Sequence, residues 1–377
     1  MSLLSSLFGR KKPPEKEQVA VEVLATKKET SQTPSLHLKG KPDAAGLYPS
    51  ELVMLSLAER YKTAETNFPS YFTYTYEIAN PPKMLKSLQA KGFIEVGSAM
   101  DALDSFKLPE LKAIAASLGI AVKGKKADII TQLSEAGEAS LSQFVKERTW
   151  KLTASGKEEL RANPYIQYFL EKHPYNVNEV GVDIWSVNDE FVKNPKRPYR
   201  DIIYRQLNNQ MNKASIAFQK DPISGSANTH QYCECYRLMG LFIEEEGKSF
   251  VNAADLYFQY LFKRINIHAG LQLLKTYNLF KNDRDYQKET IQRYYDDIQL
   301  YPFHKTELLR LIDELDIDGE SIRESMITSF KKTNDTGIMT EQEAADFVIL
   351  ELNGEGDKSR ELAEKLAKKA VKNFLDD

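Results

Sequence analysis

Two short segments with strand character, residues 93–96 and 149–153, lie about fifty residues apart, and the sequence between them has a helical pattern. The first segment follows a strong helical pattern, and no second strand directly follows it. The second segment is followed by another helical pattern, from Ala154 to Leu160.

A strong helix is predicted immediately before the first strand segment. Asn80 is a favourable N-cap, Pro81 suits the first helical position, and Gly92 ends the helix. Further upstream, Ser50 is the predicted N-cap of an earlier helix, and residues 71–76 alternate like a strand or a tight turn.

The order of helix, glycine and strand resembles a winged helix-turn-helix, in which this helix is the recognition helix and the strand begins the wing. The run Leu152-Thr153-x-x-Gly156-x-x-x-Leu160 resembles the wing return and closing helix of that family. Because a wing needs a second strand, the resemblance implies that residues 93–96 and 149–153 pair and that the residues between them are inserted at the tip of the wing. Loop tips tolerate such insertions because little buried backbone is disturbed. In such a helix, the outward residues Lys83, Lys86 and Lys91 would contact phosphates and base edges. The same lysines are equally typical of any exposed helix face, and winged helices also serve as protein-docking modules.

The sequence between the strand segments predicts two short helices joined by an extended link. Leu111, Ile114 and Leu118 make one helical face, and Gly119 ends the first helix. Ile129 and Leu133 face inward from the second helix. The segment from Phe106 to Leu133 resembles the SAP motif, a helix-extended-helix module associated with DNA binding. These positions make only a very small core, so we expect the module to lean on its neighbours.

The start of the second helix of this insert is the candidate nucleic-acid site. Gly124 lets the backbone approach a phosphate closely, and the first-turn amides point outward at the positive end of the helix dipole. Lys123, Lys125 and Lys126 add positive charge at the same end, which is unfavourable unless an anion sits between them. We therefore expect these four residues to contact phosphate. The alternative is a solvated turn, because lysines are common on surfaces and acidic residues leave the insert only slightly basic.

From residue 164 onward the sequence is mostly helical in pattern. Two apolar helices between Tyr232 and Arg264, separated by an acidic turn, are similar to one tetratricopeptide repeat. One such unit cannot bury its faces alone, so it implies degenerate neighbours or an ordinary helical hairpin. The last helix, with apolar residues from Leu362 to Phe374 at four-residue spacing, is expected to dock onto this domain.

Composition limits the classes of function. The chain has 377 residues with 51 Lys and Arg against 54 Asp and Glu, a formal net charge of -3, so any binding to nucleic acid has to come from local patches. No uncharged apolar stretch approaches the roughly 18 residues of a membrane-spanning helix, so a membrane partner is not expected. The two cysteines, Cys233 and Cys235, exclude a disulfide framework and favour a cytoplasmic protein. With His230 they make an incomplete zinc set.

The sequence thus predicts a mainly α-helical protein. Its predicted parts are a flexible tail (1–46), a winged-helix-like domain with a small β-wing (47–97 and 145–163), an inserted SAP-like helix-extended-helix (98–140) and an all-α, repeat-like domain (164–377). Chains with a SAP-like motif and a helical C-terminal part are similar to bacterial or phage-borne proteins of undefined role.

The expected function is weak, salt-sensitive DNA binding without catalysis. The sequence contains no phosphate-binding glycine loop, nucleophile elbow or two-histidine metal helix, so neither an enzyme nor a cofactor is expected. The helical half would bind a protein partner or a second copy. The alternative is a scaffold protein in which both N-terminal modules bind protein and nucleic acid has no role.

Overall fold

The computed structural model describes residues 38–171, 173, 176–220, 226–247, 249–333 and 337–376. The chain is mainly α-helical and divides into two compact units. The N-terminal unit comprises Gln32–His173 and Asp183–Ile202, and the C-terminal unit comprises Pro174–Val182 and Ile203–Asp377. No helix among the described residues combines the length and the apolar character needed to cross a bilayer.

The N-terminal unit contains ten helices with α-helical geometry and one strand pair among its described residues. In chain order these are α1 (Pro49–Leu57), α2 (Tyr71–Tyr76), α3 (Pro81–Ala90), β1 (Ile94–Val96), α4 (Ala99–Ala102), α5 (Leu108–Ser117), α6 (Lys126–Ser134), α7 (Glu138–Phe144), β2 (Trp150–Leu152), α8 (Ala154–Ala162), α9 (Tyr165–Leu170) and α10 (Ile184–Phe191).

The two strand segments pair, although they lie about fifty residues apart. Strands β1 and β2 are antiparallel, with Ile94 opposite Leu152 and Val96 opposite Trp150. The Gly97 amide extends the pairing by donating to the Thr149 carbonyl at 2.9 Å. Helices α4 to α7 are therefore inserted between two adjacent strands, as the sequence predicted.

Helix α3 has the ends that its sequence predicted. The Asn80 side chain accepts a hydrogen bond from the Lys83 amide at 2.9 Å, and Pro81 occupies the first turn. Gly92 follows the helix with a φ of 82°, a conformation that costs glycine little. Local backbone chemistry therefore sets both boundaries.

Two predictions upstream of α3 are wrong. Residues 71–76 form helix α2, because Phe72 turns inward and packs against the rings of Tyr61 and Phe68 at centroid distances of 5.8 and 5.9 Å. Ser50 is not an N-cap: α1 begins one residue earlier, and the Ser50 side chain is buried inside its first turn. In both places, tertiary packing overrides the local pattern.

The first described residues are already part of the folded N-terminal unit. The Lys41 carbonyl accepts a hydrogen bond from the Asn188 side chain at 2.9 Å, and Asp43 accepts one from Asn163 at 2.9 Å. Of the predicted tail over residues 1–46, residues 1–37 lie outside the described residues. Lys41 and Asp43, near its end, are anchored to the N-terminal unit by these two bonds.

Glu159 lies beside Asp43, and burial followed by the hydrogen bond between the two carboxyls raises its pKa to about 7. A carboxyl whose pKa is raised on folding stabilises the folded state at pH values below its pKa in the unfolded chain. This contribution is lost as the pH rises through the folded-state pKa of about 7. We therefore expect Glu159→Gln to stabilise the N-terminal unit at pH 8 and to change it little at pH 5. Urea unfolding followed by tryptophan fluorescence measures this, because Trp150 and Trp185 both belong to this unit. The exposed Glu135→Gln is the control, and an equal effect of Glu159→Gln at both pH values would contradict the expectation.

The division between units differs from the predicted boundary at residue 164. Helices α9 and α10 belong to the N-terminal unit. Tyr165 explains this, because its hydroxyl donates to the Asn188 side chain at 2.7 Å and its ring packs on Phe191 at 5.0 Å. The helical pattern after residue 163 carried no sign that these helices pack backward along the chain.

The C-terminal unit is all helical in its described residues. Its helices are α11 (Tyr199–Lys220, which starts in the other unit), α12 (Ser226–Phe242), α13 (Phe250–Phe262), α14 (Ala269–Leu279), α15 (Arg284–Ile298), α16 (Pro302–Leu315), α17 (Gly319–Lys331), α18 (Glu341–Leu352) and α19 (Gly356–Asp376), with a 3₁₀ turn at Val177–Val180 and π-helical segments at Ile243–Gly247 and Lys263–His268.

Helices α12 and α13 form the predicted helical hairpin. They approach closely at Gly240, where an added Cβ would lie 3.1 Å from the Ala253 carbonyl oxygen. The last helix also docks as predicted: Leu366 is buried in the main core of the unit, and Phe374 packs against a smaller cluster with Leu274.

Candidate nucleic-acid interface

The insert between the paired strands has its own hydrophobic core. Leu111, Ile129 and Leu133 are fully buried, as the sequence predicted, and Ile114 and Leu118 pack against them. Ala99 of α4, Leu103 of the 3₁₀ turn that follows α4, and Leu141 of α7 complete the core. The two central helices therefore lean on their neighbours inside the insert, and the loop between them is held on a packed base.

The link between α5 and α6 is fixed by hydrogen bonds. Gly119 ends α5 with a φ of 73°, and the next amide, that of Ile120, donates back to the Ala115 carbonyl at 2.9 Å. Further along, the Gln132 side chain pairs with both backbone groups of Lys123, accepting at 3.2 Å and donating at 2.9 Å. These bonds fix the backbone from which Lys123 projects.

The corner at Gly124 is closed by a carboxylate of the chain itself. Gly124 has a φ of 108°, and a Cβ at this position would overlap the Asp128 carboxylate. The Lys125 amide donates to Asp128 Oδ2 at 2.8 Å. The expectation that the backbone at this corner contacts phosphate is therefore wrong for the Lys125 amide, because an acidic residue in the first helical turn both accepts this bond and compensates the dipole.

The three lysines around this corner are exposed. Lys126 Nζ donates to the Asp104 backbone carbonyl at 2.7 Å, so its ammonium group lies against the 3₁₀ turn Leu103–Ser105 that follows α4. Lys123 and Lys125 form no ion pair with any described residue. Their ammonium groups therefore remain available to an external anion.

The acidic residues of the insert are mostly bound to backbone amides. Glu138 accepts bonds from the amides of Ala99 and Met100 at 2.7 and 3.0 Å, and these bonds, the Ala99 one first, lower its pKa. Asp101 accepts from the Ser98 amide at 2.7 Å, in the same way that Asp128 caps α6. This capping was missed from the sequence, although the three-residue spacing from cap to carboxylate is visible there.

Helix α3 carries the second group of predicted lysines. Lys86 is exposed and Lys83 is half-buried. Lys91 Nζ lies 2.7 Å from Glu51 Oε1, and the side chain of Glu51 is only 4% exposed. Lys91 therefore neutralises a buried carboxylate of α1, which is a structural role, and Lys86 is the more accessible of the group.

The two lysine groups stand on helices with different packing partners. Helix α3 packs against α1 and β1, whereas α6 packs against α5 and α7. The lysines near Gly124 are brought together within one corner, and those on α3 belong to the body of the N-terminal unit.

Metal ligation is not supported by the described residues, in which no three His, Cys, Asp or Glu side chains come together as a metal site would require. Cys233 and Cys235 are buried on α12 and form no disulfide, and burial raises the pKa of Cys235 to about 12. No known family model, curated protein or solved structure matches this chain.

Proposed function

We propose that this protein binds DNA without catalysis, through Lys123, Lys125 and Lys126 at the start of α6. In this proposal the insert is a SAP-like module carried on the wing of a winged-helix-like domain. Phosphate contacts of this kind position a protein on DNA and carry no sequence information.

The observation that carries the proposal is the arrangement of charge at the α6 corner. Three exposed lysines lie within four residues on a backbone fixed by Gln132 and Asp128. Neighbouring carboxylates face backbone amides, whose partial positive charge offsets them. The ammonium groups are then the charges that a polyanion meets first.

The magnitude expected from this site is small. Contacts from about three lysines, with Lys86 as a further candidate, correspond to non-specific dissociation constants of about 10⁻⁴ to 10⁻⁶ M at physiological salt. Binding should weaken steeply as salt increases, because each phosphate contact releases a counterion.

The triple variant Lys123→Glu/Lys125→Glu/Lys126→Glu should abolish detectable binding to a short DNA duplex at low salt. Fluorescence anisotropy at several salt concentrations measures this. For a milder Lys→Gln triple variant, the slope of log affinity against log salt should fall by about 2 to 3, one for each lost contact.

The matched control is Lys365→Glu/Lys368→Glu/Lys372→Glu on α19, which changes the net charge equally at exposed positions. It should bind nearly as the wild type does. A second arm is Asp128→Asn, which should tighten DNA binding by removing a negative charge from the corner. If both triple variants lose binding equally, the effect is one of net charge and the α6 site is refuted.

For the C-terminal unit we propose a repeat-like assembly role, supported by the close α12–α13 hairpin at Gly240. The same hairpin supports the alternative of a scaffold protein without a nucleic-acid role. Retention on a DNA column that disappears with salt separates the two: the scaffold alternative requires no retention at any salt concentration.

A further inference from the structure

A polar cleft of about 740 Å³ lies within the C-terminal unit. One wall is the face of α12 that carries His230 and Arg237, and the opposite wall is α13 and α14. The chain from the end of α15 to the start of α16 closes it. A volume of this size is typical of sites for small organic molecules.

One wall of the cleft is built on a four-residue period. Tyr260, Arg264, His268 and Gln272 all line it, and they follow one another along the helix that runs from α13 through the π-helical segment Lys263–His268 into α14. Side chains four residues apart share one helical face. Single π-helical turns of this kind occur frequently at functional sites.

The first arginine of the cleft is already neutralised. Arg237 Nε donates to Glu234 at 2.6 Å and its Nη2 to Glu179 at 3.1 Å. This group of three carries a net negative charge and has little capacity left for an anion.

The second arginine has no such partner. Among the described residues, the Arg264 guanidinium donates to the backbone carbonyls of Gln299 and Asp297, at long distances of 3.4 and 3.5 Å, and lies over the Tyr301 ring at 5.1 Å. The Asp297 carboxylate interacts with it electrostatically, but no carboxylate of a described residue lies within ion-pairing distance of it. A half-buried guanidinium with two long backbone contacts has donors left for an anionic ligand.

Two histidines line the cleft beside Arg264. Burial first, and then His230 and Arg264, lower the pKa of His268, so at neutral pH its imidazole serves as a hydrogen-bonding group rather than as a positive charge. His268 Nδ1 is bound to the Thr229 hydroxyl at 3.0 Å, which leaves Nε2 for the cleft. The exposed ring of His230 lies 6.2 Å from the His268 ring. Together with Arg264 they offer three nitrogen groups to one phosphate-sized anion. Asp297 opposes an anion here, although burial and the nearby Asp296 raise its pKa.

Aromatic rings stand at the edge of the same cleft. Tyr301 and Phe303 are 51% and 55% exposed, although both are large apolar side chains on its lining. A planar ligand ring stacked on them would cover surface that is otherwise left in water. The His304 ring is held by the Tyr257 hydroxyl at 2.9 Å. Burial first, and then Arg264 and Arg237, lower the pKa of His304 to about 4, so it lines the cleft as a neutral ring.

We propose that this cleft binds a nucleotide, with the phosphate at Arg264, His268 and His230 and the base against Phe303 and Tyr301. The ligand class follows from the combination of two imidazoles, two exposed rings and one guanidinium that forms no ion pair with a described residue, all around a single volume. This site is separate from the proposed DNA contact on α6 and does not depend on it.

Isothermal titration of the full-length protein with AMP, GMP, CMP and UMP tests the proposal, with adenosine and inorganic phosphate as the separate halves of a ligand. At least one nucleotide should bind saturably, at least tenfold more tightly than either half. Arg264→Gln should weaken this binding at least tenfold, whereas Arg284→Gln, an exposed arginine on α15, should leave it unchanged.

His230→Gln and Phe303→Ala keep the test decisive if Arg264→Gln unfolds the protein, because both residues are exposed. Each should weaken nucleotide binding several-fold without lowering the melting temperature. Failure of all four nucleotides to bind at millimolar concentration overturns the proposal, and so does binding that persists in all three cleft variants. Loss of binding in the α6 lysine triple variant would assign the nucleotide to that corner and likewise overturn it.

Discussion

Replacing Glu351 with alanine should lower the free energy of unfolding of the C-terminal unit by about 3 to 5 kcal/mol, the cost of breaking a buried charged network. The side chain of Glu351 is 1% exposed and lies among α15, α18 and α19. It accepts hydrogen bonds from Tyr295 at 2.9 Å and from the Leu300 amide at 3.2 Å. Its removal leaves these groups without their acceptor inside the core.

Lys305 adds to the cost, because its Nζ lies 3.2 Å from Glu351 Oε2 and loses its ion partner in the variant. Thermal unfolding followed by far-ultraviolet circular dichroism measures the change, which corresponds to a fall in melting temperature on the order of 10 °C. Tryptophan fluorescence should change less, since Trp150 and Trp185 belong to the N-terminal unit. Glu361→Ala, at an exposed position on α19, is the control and should change stability by less than about 0.5 kcal/mol. Equal stability of the two variants would show that the network contributes nothing.

The pH dependence of the free energy of unfolding tests the same Glu351 network in a second way. Burial by itself raises the pKa of Glu351, but hydrogen bonds from Ser359, Tyr295 and Lys305 outweigh it and hold the pKa below its usual value of 4.5. A carboxylate whose pKa is lowered on folding stabilises the folded state at pH values above its pKa in the unfolded chain. This contribution is lost as the pH falls through the pKa of the folded state. The stability difference between wild type and Glu351→Gln should therefore be constant from pH 6 to 8 and shrink below about pH 4.5.

Features set by neighbouring residues in the chain were predictable from the sequence. Asn80 and Gly92 define the ends of α3 because a side-chain cap and a positive φ depend on local geometry alone. The strand pair was predictable for a different reason: the wing that the resemblance implies needs a second strand, and a segment with strand character follows about fifty residues later. The pairing could therefore be predicted although about fifty residues separate the two strands.

Features set by packing or by competing charges were harder to predict. Residues 71–76 alternate in sequence, yet the burial of Phe72 among aromatic rings makes them a helix. At the α6 corner the lysines predicted that the backbone binds an external anion, whereas the Asp128 carboxylate of the chain itself accepts the bond from the Lys125 amide. The lining residues of the cleft, such as His230, Arg264 and His304, lie far apart in the sequence and come together only through packing of the helices. The sequence by itself shows only the four-residue period along one wall.

Gly156 provides the sharpest test of how the strand pair is joined to α8. An added Cβ would collide with the Phe93 carbonyl oxygen and lie 3.3 Å from Leu152 Cδ2. Gly156→Ala should therefore destabilise the N-terminal unit by about 2 to 3 kcal/mol, as overpacking against a fixed wall does. Urea unfolding followed by tryptophan fluorescence measures this, and Ser155→Ala, one residue earlier on the exposed side of α8, is the control.

The Phe93 carbonyl cannot move aside easily. It accepts a bond from the Thr153 amide at 3.1 Å. The Thr153 hydroxyl lies 2.8 Å from the Gly92 carbonyl oxygen and 3.1 Å from that of Phe93, and it caps α8 by accepting from the Gly156 amide at 3.1 Å. Relief of the clash would therefore break the cap and the end of the strand pair together. If Gly156→Ala proves as stable as Ser155→Ala, α8 can shift along the strands, and the glycine in this run is not required by close approach of the backbone.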